Sequence, residues 1–255
     1  MIRRLLAATA LSTGLAAVSA PTASAADPAK PVPAFGFSTL KSATPAAAKA
    51  KAEAWLKSVG KFDEKTFGEI WARESQSVLD RTADSLALGN PEAKGILDNV
   101  RKIDAPAPTT LPALLTDTKS DPFFRTNIAV AFAKAAASKK VYEEALEALN
   151  GAAPEVAVDP SALYFFKAVA EHATMRKEAA TGSIVKLLDD VVDAPDRYKM
   201  VATLMFFEMQ SWSPDPKDLA NIERLMDNSG RRLELARGGE KTQDIQKKIV
   251  FRLDE

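Results

Sequence analysis

The chain has 255 residues, no cysteine, a single histidine, 46% hydrophobic residues, and 34 basic side chains balanced by 34 acidic ones. These values exclude a disulfide framework and a zinc site built from cysteines or from two histidines, and the charge balance argues against a nucleic-acid partner, which needs a basic face. The apolar content suffices for a real core, and the length suits one domain or two small ones.

Arg3 and Arg4 open a largely apolar run from Leu5 to Val18 that leads into Ala23-Ser24-Ala25. This three-part plan predicts a secretory signal peptide over 1–25, cleaved after Ala25. The run is too short to span a hydrocarbon core of roughly 30 Å stably, and no later stretch reaches the ~18 apolar residues of a spanning helix. A soluble protein with no transmembrane segment after cleavage, periplasmic or secreted, is expected. Cleavage removes two arginines and no acid, leaving 230 residues with 32 basic against 34 acidic side chains, a formal charge of −2. Residues 26–45 carry Pro28, Pro31, Pro33 and Pro45 among small side chains, and predict a flexible Ala/Pro-rich lead-in.

An N-terminal helical subdomain is expected over 46–103. Ala46 to Val59 predicts a helix closed by Gly60 at its C′ position. From Asp63 to Leu88, Phe67, Ile70, Trp71, Val78, Leu79 and Leu86 return at helical spacing and predict a second helix ending at Gly89. Asn90 before Pro91 is a cap with proline at N1, opening a short helix to about Arg101. Pro106, Pro108 and Pro112 then interrupt helix, so 104–120 is expected as a Pro-rich connector to a helical body over 121–255.

In that body the Asp-Pro start recurs at Asp121-Pro122, Asp159-Pro160 and Asp215-Pro216, predicting helices over 122–137, 160–173 and 216–237. Between them lie helical patterns at 141–149, 177–191 and 196–210. No stretch alternates with period two over more than a few residues, so the predicted class is all-α with essentially no sheet. Tyr198, Val201, Leu204, Met205 and Phe207 are expected to pack inward against Leu219, Ile222, Leu225 and Met226. The aromatics Tyr164, Phe165, Phe166, Phe206, Phe207 and Trp212 are expected in the core rather than around a ligand.

Tyr142-Glu143-Glu144-Ala145 and Arg176-Lys177-Glu178-Ala179 lie 34 residues apart, as do Phe132 and Phe166. Ala133 supplies a small residue for close helix packing, whereas Lys167 holds that place in the second unit unless the register slips by one to Ala168. On these residues the segment of about 126–195 resembles a tetratricopeptide repeat, whose period is ~34. The resemblance implies antiparallel helical hairpins stacked as a short α-solenoid. The whole body is also similar to exported bacterial helical proteins of unknown function, a resemblance that implies no activity.

After Gly238-Gly239, Thr242 to Glu255 places Ile245, Ile249 and Leu253 on one helical face with Val250 beside it. Such a stripe either folds back on the preceding helix or docks on another protein, or on a second copy, as a helix in a groove. These four are the candidate partner-binding residues.

Signatures of catalysis are weak. There is no G-x-S-x-G elbow, P-loop or dinucleotide fingerprint, so no catalytic or cofactor-binding residue is assigned and no cofactor or metal is expected. His172 reads as a polar-face residue near a helix end. Asp189, Asp190, Asp193 and Asp196 lack EF-hand spacing and read as a solvated helix end rather than a calcium site. The expected function is an exported, non-enzymatic scaffold or protein-binding module of the cell envelope. The alternative is a carbohydrate-active or cell-wall enzyme using carboxylates on a helical fold, with Glu69 near Trp71 as a candidate acid.

Overall fold

A computed structural model describes residues Thr39 to Asp254. The signal peptide over 1–25 and the lead-in up to residue 38 lie outside the described residues. Eleven α-helices follow one another and no strand forms among the described residues; the single β-bridge joins Leu40 to Val191.

The first helices are α1 (Pro45–Ser58), α2 (Glu64–Trp71), α3 (Val78–Gly89) and α4 (Pro91–Arg101). The single helix predicted from Asp63 to Leu88 is therefore two. Ser77 divides them: its hydroxyl accepts from the Asp80 N–H at 3.1 Å and donates to the Asp80 carboxylate at 2.6 Å, a cap that starts α3 afresh. Gly60, at φ 67°, closes α1, with the Lys61 N–H reaching the Leu56 carbonyl at 3.0 Å. Gly89 ends α3 against the indole of Trp55, and a Cβ there would collide with that ring. The Pro-rich connector contains a 3₁₀ turn, Ala113–Leu115, with Leu115 buried, and the helices on its two sides pack on one another.

Beyond it come α5 (Pro122–Ser138), α6 (Tyr142–Asn150), α7 (Pro160–Ala173) and α8 (Lys177–Val185), which runs into a π turn, Lys186–Asp190. Asp121 and Asp159 cap α5 and α7, accepting from Phe124 and Ala162 N–H at 2.9 and 2.8 Å, with proline at N1 in both. The last helices are α9 (Asp196–Gln210), α10 (Leu219–Glu234) and α11 (Glu240–Asp254). Asp215-Pro216 does not open α10 as predicted. Asp218 caps it instead, while Asp215 accepts from the Lys217 N–H in the turn before.

Helices α5 and α6 form one hairpin and α7 and α8 the next, and the odd-numbered helices also touch in series: α1 on α3, α3 on α5, α5 on α7, α7 on α9. Lys140 and Met175 sit at the two hairpin corners in the left-handed region, φ 60° and 61°. At each corner the following N–H reaches back to the helix before it, Val141 to the Ala136 carbonyl at 2.9 Å and Arg176 to Glu171 at 2.8 Å. The equivalent corners are 35 residues apart, as are the fully buried pairs Ala133/Ala168 and Ala145/Ala180. The 34-residue match of the sequence is thus one short of the structural register, and Ala168 rather than Lys167 fills the small position.

The buried apolar cluster runs without a break from Ala48 on α1 to Met209 on α9. Alanines are conspicuous in it: Ala48, Ala52, Ala83, Ala93, Ala133, Ala136, Ala145, Ala168, Ala180 and Ala202 are all fully buried. Small side chains let helix backbones approach closely, and larger ones such as Phe132, Leu97 and Ile128 fill the remaining space, each worth ~1.5–3 kcal/mol on burial.

One expected layer does not form. Helices α9 and α10 do not pack along their lengths, and Val201, Leu204, Phe207, Leu219 and Met226 are exposed rather than facing one another. Helix α10 is tied to α6 instead, its buried Arg231 and Arg232 both pairing with the Glu143 carboxylate.

Candidate functional site

The odd-numbered helices leave a cleft of about 740 Å³ along α3, α5, α7 and α9, closed at one side by the end of α4. Its floor is α5, where Ala131 and Ala135 are too small to fill the space. One wall is aromatic. Phe165 on α7 stacks on Tyr198 of α9 with centroids 4.0 Å apart and planes 8° from parallel, and Phe166 meets Phe165 edge-on at 5.2 Å. Val169 and Val201 continue that wall. Tyr164 is buried, as predicted of the aromatic group, but Phe165 and Phe166 are half-buried and line the cleft, so the expectation of core positions fails for them.

The rim is mainly basic. Lys134 reaches Asp80 at 2.5 Å, and Arg101 reaches Asp80 at 3.5 Å and also pairs with Asp84. Burial pushes the Asp80 carboxyl up, but the hydrogen bonds from Lys134 and Ser77 and the charge of Arg101 outweigh it and hold the group below the usual carboxylate range. Arg197 lies over the Tyr198 ring at 5.0 Å and lines the same cleft. Lys134, Arg101 and Arg197 therefore face the carboxylates of Asp80 and Asp84 around an apolar floor, an excess of one positive charge. Such a site favours an apolar ligand carrying negative charge.

A second pocket, of about 520 Å³, lies where α6, α7, α9 and α10 meet. His172 Nε2 is 2.5 Å from the Glu208 carboxylate, whose other oxygen accepts from the Trp212 indole N–H at 3.1 Å. Arg224 lies over the Trp212 ring at 4.7 Å and hydrogen-bonds Asn221, which in turn donates to the Ser213 carbonyl at 2.9 Å. The histidine is thus tied into a chain of contacts joining α7, α9 and α10. Its carboxylate partner lies 36 residues away in sequence, so no local motif marks the pair.

Beside that pocket three arginines converge on two glutamates. Glu143 on α6 accepts from Arg231 at 2.8 and 2.9 Å and from Arg232 at 2.6 Å, and Arg237 pairs with Glu144 at 2.9 Å. Burial raises the Glu143 carboxyl, but Arg231 and then Arg232 reverse the effect and set its pKa at about 2. The cluster holds the α10–α11 hairpin to the rest of the fold.

The remaining candidates are placed as follows. Ile245 and Ile249 on α11 are half-buried, and α11 lies against α10; Val250 and Leu253 are exposed, as is Phe251. Glu69 is exposed, but Trp71 is buried and its indole N–H donates to Ser85 at 3.0 Å, so the two form no platform-and-acid pair. Asp193 accepts from the Ser42 N–H at 3.0 Å, and among the described residues no three acidic or histidine side chains cluster as metal ligands. No helix of the described residues is long and apolar enough to cross a membrane.

No protein-family model matches the chain, and it has no match among curated proteins or solved structures.

Proposed function

We propose that the chain is an exported, non-enzymatic binding scaffold of the cell envelope, built as a short tetratricopeptide-like solenoid, whose cleft along α3 to α9 takes an apolar, acid-bearing segment of a partner polypeptide. The cleft carries the reading: an alanine floor and aromatic wall offer apolar area, and Arg101, Lys134 and Arg197 set the sign of the partner. Export rests on the signal-peptide pattern of residues 1–25. The exposed residues of α11, Val250 and Leu253, offer a second place for another protein or a second copy to dock.

The test uses the protein recovered from the envelope or medium of an expressing cell, with Ala26 as its first residue. Two helical probe peptides share one apolar face and differ in carrying glutamates or lysines on the other. The acidic peptide is expected to bind, and Ala135→Trp, which fills the floor, to weaken it about tenfold or more, ~1.4 kcal/mol. Val169→Glu, which places a carboxylate in the wall, gives the same loss should Ala135→Trp not fold. Equal binding of the two peptides, or binding indifferent to both variants, defeats the reading.

A further inference from the structure

In a stack of helices each inner member is covered on both sides, and the last needs a polar outer face or a cap. Helix α9 is the last odd-numbered helix in contact with its predecessor, and α10 does not cover it. Its outward face is nevertheless apolar: Met200, Leu204 and Phe207 are 65%, 63% and 64% exposed, with Val201 at 41%. At 3.6 residues per turn, positions 200, 204 and 207 share one face, and Arg197 and Glu208 fall on the same edge of it near opposite ends.

We infer that this face is where two copies of the chain pair, antiparallel, about a two-fold axis at Leu204. The charges select that arrangement. A two-fold axis lying in the interface and perpendicular to antiparallel helices keeps each edge on its own side while reversing direction along the helix. Arg197 of one copy then approaches Glu208 of the partner subunit, and the pair occurs twice. A parallel arrangement, whose two-fold axis runs along the helices, sends the edge of one copy to the side opposite that of its partner, so Arg197 and Glu208 then form no pair. Glu208 is held ready by His172 and Trp212 with half its side chain exposed, and Arg197 makes no ion pair among the described residues. An unrelated partner would need this same pattern in reverse, which a second copy supplies by symmetry. The paired α9 helices also repeat the odd-on-odd contact already made by α7 and α9.

The chain has no cysteine, so one introduced thiol reports the geometry cleanly. Full-length mature Leu204→Cys is expected to form a disulfide-linked dimer on mild oxidation, while Lys61→Cys, on an exposed loop, is not. Light scattering during gel filtration, over rising concentration, reads the association itself. Leu204→Glu is expected to weaken it about a hundredfold or more, because each copy then buries a charge at the axis. Arg197→Glu weakens it and inverts its salt dependence, because two carboxylates then face one another and added salt screens their repulsion. Removal of residues 240–255 leaves it intact. A monomer at all concentrations overturns the inference, and so does association that survives Leu204→Glu but is lost with residues 240–255, which would place the contact on α11. Arg197 and Val201 also line the cleft, so the two readings are separated by Leu204→Glu, which lies outside the cleft and should lose association while binding the acidic peptide unchanged.

Discussion

The α5–α8 hairpins and the α10–α11 hairpin are both pairs of antiparallel helices, yet different physics holds each in place. In the former, fully buried Ala133, Ala136, Ala145, Ala168 and Ala180 bring backbones together, and attraction comes from continuous apolar contact. In the latter, Ile222 and Leu225 are buried but stand apart from the main apolar cluster, and the join to α6 is made by Arg231, Arg232 and Arg237 on Glu143 and Glu144. Close packing tolerates changes of charge elsewhere but not of volume. An ionic join tolerates neither the loss of a partner nor the loss of its charge.

The sharpest way to separate the two regions is Glu143→Gln, which leaves buried guanidinium groups without their carboxylate. It is expected to cost ~3–5 kcal/mol, concentrated in α10 and α11, and amide hydrogen exchange should show those helices opening while α5 to α8 stay protected. Uniform loss of protection would mean that the ionic join and the alanine core are one cooperative unit. Acid does the same reversibly. Because the Glu143 pKa is depressed in the fold, its stabilisation is complete above the ordinary value of 4.5 and is lost as pH falls from there through about 2.

Ala133→Leu tests the other side. It adds volume where α5 has none to spare and is expected to cost ~1–3 kcal/mol, read as a lower Tm of the whole body with docking of α10–α11 unchanged relative to it. The smallest expected effect has the opposite sign. Glu171 is buried between α7 and α8, and burial raises its carboxyl above the usual range although Ser183 donates to it at 2.6 Å. A raised pKa penalises the ionised fold as pH rises through it, so Glu171→Gln should raise Tm slightly at neutral pH. The gain should vanish as pH falls below the ordinary glutamate value of 4.5.

The same contrast decides what could be read from the sequence. Helix starts at Asn90, Asp121 and Asp159 were legible because a cap and its proline are adjacent, and the fully buried Ala133 was legible as a small residue at a close-packing position. The break at Ser77 was hidden because Phe67 to Leu86 keeps helical spacing on both sides of it. Arg231 and Glu143, 88 residues apart, resemble any surface charges until the fold brings them together. The cleft was missed for a related reason. Phe165 and Phe166 have the spacing of core residues, and the space in front of them depends on the small size of Ala131 and Ala135 on another helix. The exposed stripe of α9 was misread as an inward face because the sequence gives no sign that α10 turns to α6.

The first described residues are laid along the loops at one end of the α7–α8 hairpin. Leu40 donates to Asp190 and accepts from Val192, both at 2.9 Å, Ala43 donates to Val158 at 2.9 Å, and Ser42 meets Asp193. Tension applied to the chain ahead of Thr39 would therefore enter the fold beside the π turn of α8, as a load on this short row of hydrogen bonds. The end of α1 would feel it only after that row had parted. Under such a load the row would act as a mechanical fuse, parting and releasing slack before the alanine-packed helices behind it were strained.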